Sequence, residues 1–206
     1  MLFRSHVVVQ LFITQFDDAV LSGFTLTNKI NNFLFAFGTG FGVALVTIVG
    51  QNLAVNNSLR AKNSVKISAI ISTILIGILL VFFFIFQEQI IRIFTNDSDE
   101  IYHTKNAMYF ITTTAIPWIF IQLPIGVFSA AKKPIYNVIL SFARLFIIRV
   151  PLLFILINFT NLDEYAIWVS MSISNILTAV LAAILYYRVK WDKTIEDMNK
   201  INLSTT

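Results

Sequence analysis

The sequence predicts an all-α integral membrane protein, and three observations predict it. Long apolar segments recur along the chain, charge is scarce, and what charge there is falls between the segments. Of 206 residues, 57% are hydrophobic and 13% charged, with a mean hydropathy of +0.77. Soluble domains average about 25% charged residues, and a soluble domain of this size cannot hide so much apolar surface in its interior. Five segments have the roughly 20 apolar residues that cross a bilayer core. The first is half that length.

The spans are expected at about 2–22, 30–50, 66–87, 107–130, 135–159 and 165–187. Residues 1–190 then form one six-helix lobe with a truncated first helix, and 191–206 form a polar tail. In the first segment the apolar run 7–16 stops at Asp17 and Asp18. Arg4 followed by this run has the shape of a signal peptide, but no small-x-small cleavage site follows, which favours a truncated spanning helix. Residues 21–32 mix polar and apolar types and are expected to continue the first helix and turn into the second. Gly38, Gly40 and Gly42 in the second span suit a close helix–helix seam. Residues 51–66 read as a cytoplasmic connection holding a short amphipathic helix at the interface. Residues 87–105 form an acidic outer connection broken at Thr95–Asn96–Asp97–Ser98–Asp99. Lys132–Lys133–Pro134 makes a tight inner turn, its proline starting the fifth span. Residues 158–165 form the last outer turn.

The charges set an orientation. With the start of the chain inside, the inner connections carry Arg4, Arg60, Lys62, Lys66, Lys132, Lys133, Arg188, Lys190, Lys193 and Lys200. The outer ones carry only Lys29, Arg92 and Lys105, together with most of the acids. Lys and Arg are retained in the cytoplasm during insertion, so a multi-pass plasma-membrane protein with both termini cytoplasmic is expected. No continuous basic face exists to hold nucleic acid.

Ionisable groups within spans are the first place to look for function, because they are costly in lipid. Only Arg144 and Arg149 qualify. Each costs about 2.5–3.5 kcal/mol near a helix centre, which the many Leu, Ile, Val and Phe around them offset. Five residues apart at 100° per residue, they point about 140° from each other. On a regular helix they cannot share one narrow pocket, so one is expected to line the cavity while the other snorkels or pairs with a helix end. Pro117, Pro124 and Pro151 break the hydrogen-bond ladder inside spans and are candidate hinges. Neutral polar residues, Asn28, Asn31, Asn32, Gln122 and Asn175, are candidates to line a substrate path. No carboxylate lies within a full-length span, no nucleophile–His pair or metal-ligand spacing is present, and cysteine is absent. An enzyme and a bound cofactor are not expected.

At Val49, Gly50, Gln51, Asn52 and Leu53, followed by Asn57, Arg60 and Ala61, the chain resembles the multidrug and toxic compound extrusion (MATE) transporters. In that family a valine-glycine-glutamine signature ends a span and a basic linker follows. Further family-like marks come in order: Gly23 with Thr27, Asn28, Lys29 and Ile30, then Phe94 to Asp97, Gly126 leading to Lys132–Lys133–Pro134, and Arg149–Val150–Pro151. Ala54 and Val55 depart from the usual Gly-Ala, and Ala131 stands where Gly is common. The resemblance runs from about residue 7 to 191 and matches the C-terminal half of a twelve-helix, two-lobe transporter.

The resemblance implies secondary active antiport, with drug-like or toxic organic compounds exported against inflowing protons or sodium. Residues 114–118 contain no acid, unlike the sodium-coupled branch, so the coupling-ion site is expected outside this chain. The implied partners are the lipid bilayer, a small-molecule substrate and either an N-terminal lobe or a second copy. Two other readings are a lobe of a lipid-linked oligosaccharide flippase, to which Arg144 and Arg149 lend support, and a non-transporting membrane assembly subunit.

Overall fold

A computed structural model describes residues 17–192, so the first expected span, except for its last residues, lies outside the described residues. The described chain is helical throughout: α1 (Asp18–Ala54), α2 (Ser58–Ile85), α3 (Gln87–Arg92), α4 (Ser98–Thr113), α5 (Ala115–Ala130), α6 (Ile135–Phe142), a π-helical stretch (Ala143–Arg149), α7 (Val150–Phe159) and α8 (Tyr165–Arg188). Four helices are long and apolar enough to cross a membrane: α1, α2, the continuous run Ile135–Phe159 and α8. The pair α4–α5, bent by 44° at Thr114, makes a fifth span if counted as one.

Two expectations are corrected. Residues 21–32 hold no turn, because α1 runs unbroken for 37 residues, about 55 Å at 1.5 Å per residue. Three of its polar residues form hydrogen bonds sideways or back along the helix instead of in a turn. Thr27 donates to the Thr104 carbonyl at 3.3 Å, Asn31 accepts from Thr112 at 2.8 Å, and Thr25 donates to the Leu21 carbonyl. Residues 51–66 likewise hold no separate interfacial helix. α1 continues to Ala54 and α2 starts at Ser58.

The turn between them explains the Gly50–Gln51–Asn52 segment in local terms. Asn56 has a φ of 58°. Its amide donates to the Leu53 carbonyl and the Asn57 amide to the Asn52 carbonyl. These two bonds close the end of α1 as a Schellman motif. The Asn57 side chain then accepts from the Arg60 amide at 3.0 Å and caps α2. Gly50 meets nothing within 4 Å and Gln51 is exposed. The same closure ends α5, where Lys132 has a φ of 56° and the Lys133 amide reaches the Phe128 carbonyl at 2.8 Å.

Three spans, α1, the bent pair α4–α5 and α8, run parallel and form the middle of the bundle. Phe24 of α1 stacks on Trp168 of α8, ring centroids 5.5 Å apart, and Gly23, Gly38 and Gly42 of α1 abut residues 103–104, 118 and 122 of α4 and α5 in matching order. α2 packs antiparallel along α1, with Phe33 stacked on Phe83. Its outer face, Ile70, Ile71, Ile74, Ile78, Val81 and Phe82, is exposed, as suits a surface solvated by lipid.

Ion pairs gather at the two ends. At one, Lys62 meets Asp192 at 2.5 Å and Lys133 Nζ donates to the Lys190 carbonyl. At the other, His103 pairs with Glu164 at 2.9 Å, while Arg92 and Lys105 flank Glu88 and hold its carboxyl below the usual range.

Candidate polar site between the central helices

The site is built from the π-helical stretch outward. An i→i+5 ladder turns each residue through about 80° in place of 100°, so residues five apart come to within about 40° of one another. Pro151, just beyond, lacks the N–H that would continue the ladder, and its ring crowds the carbonyl four residues back. A widened turn immediately before it relieves both. Arg144 and Arg149 therefore turn inward together, against the expectation that their directions diverge on a regular helix.

Arg149 is 5% exposed. Its Nε donates to Ser174 Oγ at 2.9 Å and its Nη2 to Asn175 Oδ1 at 3.0 Å, both on α8. Asn175 Nδ2 donates in turn to Thr114 Oγ1 at 3.1 Å, and Thr114 donates to the Ile111 carbonyl at 2.6 Å. Thr114 occupies the bend between α4 and α5, so the chain of bonds ties the arginine to the one sharp break in that span. The Arg144 guanidinium lies 5.0 Å from the centroid of the Trp118 ring, a cation–π contact. Trp118 is fixed from the other side, its Nε1 donating to the Phe35 carbonyl at 3.2 Å.

Polar links continue along α1 and α5. Gln122 Nε2 donates to Thr39 Oγ1 at 2.8 Å. Asn31 is fully buried, and its Nδ2 has no partner among the described residues. Of the sequence-named candidates, Arg144, Arg149 and Asn175 converge at one place. Asn31 and Gln122 lie on the seam beside it. Asn28 is half-buried and Asn32 exposed, and neither joins the cluster.

Pro117 sits in the first turn of α5, just past the bend, where a missing N–H costs little. Pro124 is buried within α5, and Pro151 is exposed. Trp118, Ser174 and Thr114 complete the cluster. Ser174 and Thr114 were visible only as two of many hydroxyls, and Trp118 as one of many aromatics.

No group of three or more His, Cys, Asp or Glu that could hold a metal exists among the described residues. The arrangement can bind and orient polar groups through the side-chain donors of Arg149, Asn175 and Gln122.

Fold and lining together define a multi-pass, all-α membrane protein with a charged polar cluster buried between its central helices. The MatE family model matches residues 2–155, and the chain belongs to that family, the MATE transporters. Two curated relatives are similar along most of this chain. "Probable multidrug resistance protein YoeA" of Bacillus subtilis (strain 168) is 18% identical over 189 residues, 92% of this chain and 41% of that protein. "Probable multidrug resistance protein NorM" of Thermotoga maritima is 22% identical over 175 residues, 84% of this chain and 37% of that protein. Among solved structures, the MATE transporter ClbM in complex with Rb+ superposes with a TM-score of 0.85 at 21% identity, covering 93% of this chain and 45% of that one. The chain thus spans about two fifths of the length of the relatives it matches.

Proposed function

We propose that this chain acts as the C-terminal half of a secondary active efflux transporter. It exports drug-like or toxic organic compounds against inflowing protons or sodium, and it works when a facing half, an N-terminal lobe or a second copy, completes the cleft. The observation that carries this reading is the superposition of 93% of the chain on 45% of a MATE transporter. The names of the curated relatives support drug-like cargo. The coupling ion is assigned to the facing half, since the acids of the described helices sit near span ends, from Asp18 at the start of α1 to Glu164 beside α8. The segregation of Lys62, Lys133 and Lys190 at one end supports a plasma-membrane orientation with that end cytoplasmic.

The test is accumulation of fluorescent amphipathic dyes, one anionic and one cationic, in an efflux-deficient bacterial host. The chain is expressed alone or together with the first half of a matching MATE relative. Reduced accumulation is expected only for the pair, and only with an intact proton or sodium gradient. Efflux by the chain alone would overturn the half-transporter reading, and no efflux from a pair shown to co-purify would overturn the transport reading.

A further inference from the structure

We propose that Arg144 and Arg149 form a binding site for the carboxylate or phosphate of a small amphipathic anion inside the bundle. This deepens the transport reading by naming a class of cargo. It begins from an electrostatic imbalance. Arg149 is buried, yet its two hydrogen bonds go to neutral acceptors, Ser174 and Asn175. A guanidinium carries five N–H donors in a planar fork that matches a carboxylate or phosphate edge. Arg144 makes no hydrogen bond or ion pair among the described residues and rests on the face of Trp118.

Two like charges on one face of a widened turn repel, and burial makes each more costly. Among the described residues no carboxylate forms an ion pair with either arginine. The Asp and Glu residues of the described chain lie at or near span ends; outside it, residues 1–16 contain neither type, and Glu196 and Asp197 fall in the polar tail after the last span. An anion arriving between the two arginines would supply the missing charge and occupy the unused donors.

The surroundings set the rest of the ligand. Trp118, Ile121 and Ala179 form an apolar cluster with Phe35 beside the Arg144 guanidinium, which suits an aromatic or aliphatic body attached to the anionic head. A membrane lipid could offer the same head chemistry. Arg149, however, precedes the end of its span at Phe159 by ten residues, about 15 Å of helix, which places it below headgroup level and favours a molecule that enters the bundle.

The experiment uses the full chain, purified in a neutral maltoside detergent and titrated with 1-pyrenebutyrate, its methyl ester and the corresponding trimethylammonium compound. The acid is expected to bind at least tenfold tighter than the ester, and the cation most weakly. Arg144→Gln, with its thermal midpoint measured alongside, is expected to abolish the preference for the acid over the ester. Equal binding of acid and ester by the unaltered chain would overturn the proposal without recourse to any variant, as would an Arg144→Gln chain that keeps the preference. Displacement of the acid by phosphatidylglycerol but not by phosphatidylcholine would assign the head to a lipid and overturn the small-anion assignment. The titration needs neither an ion gradient nor a facing half, so a failure of export leaves it standing.

Discussion

The carbonyl oxygen of Gly42 occupies the space where a side chain on Gly126 would begin: a Cβ there would lie 2.1 Å from it. Helices α1 and α5 therefore touch backbone to backbone, and the Thr39–Gln122 hydrogen bond beside them depends on that approach. Small residues permit this packing in lipid, where burial of apolar surface no longer drives association.

Gly126→Ala is consequently expected to force the two helices apart, because the obstructing atom is backbone and cannot rotate away. Overpacking typically costs about 1–3 kcal/mol, and this site belongs at the upper end. Gly40 meets nothing within 4 Å, so Gly40→Ala should be neutral or slightly stabilising, by up to about 1 kcal/mol of helix propensity. Thermal unfolding of both variants in detergent checks the contrast. Equal midpoints would sink the seam as described.

Lys132 should gain from replacement by glycine. Its φ of 56° closes the end of α5, and a residue with a Cβ is strained in that left-handed conformation by about 1 kcal/mol. Lys132→Gly is expected to raise the thermal midpoint, and Lys132→Val to lower it, since a β-branched side chain suffers most there. A lower midpoint for the glycine variant would show that the lysine charge matters more than the turn.

The Lys62–Asp192 pair predicts an acid-sensitive contribution at the basic end. The hydrogen bond and charge of Lys62 hold the Asp192 carboxyl below its ordinary value, against a smaller opposing effect of desolvation. A carboxyl depressed in the folded state stabilises that state at pH above its unfolded value, about 3.9, and the contribution disappears as pH falls through the folded value. The difference in midpoint between the parent chain and Asp192→Asn should thus be constant from about pH 5 upward and shrink below about pH 4. Both side chains are partly exposed, so the effect is small and weakens with salt. A difference that grew on acidification would contradict the pairing.

Much of the fold was legible because lipid imposes simple rules. Apolar runs of fixed length must become helices, and the helices found at Ser58–Ile85, Ile135–Phe159 and Tyr165–Arg188 follow from them directly. The polar stretch 21–32 misled for a physical reason: Thr27 and Asn31 look like turn residues until Thr104 and Thr112 of a distant helix are seen to satisfy them. Among the candidate site residues, Arg149 and Asn175 were visible by type, but their contact spans 26 positions and no local pattern encodes it.

By itself the sequence determined the solvent, the helical class and the family resemblance, since each rests on composition, on segment length or on short motifs in order. Only the tertiary structure decided which way the two arginines point. Their direction depends on a π-helical turn before Pro151 and on partners brought from α5 and α8, and a regular 100° step along the chain predicts a different answer.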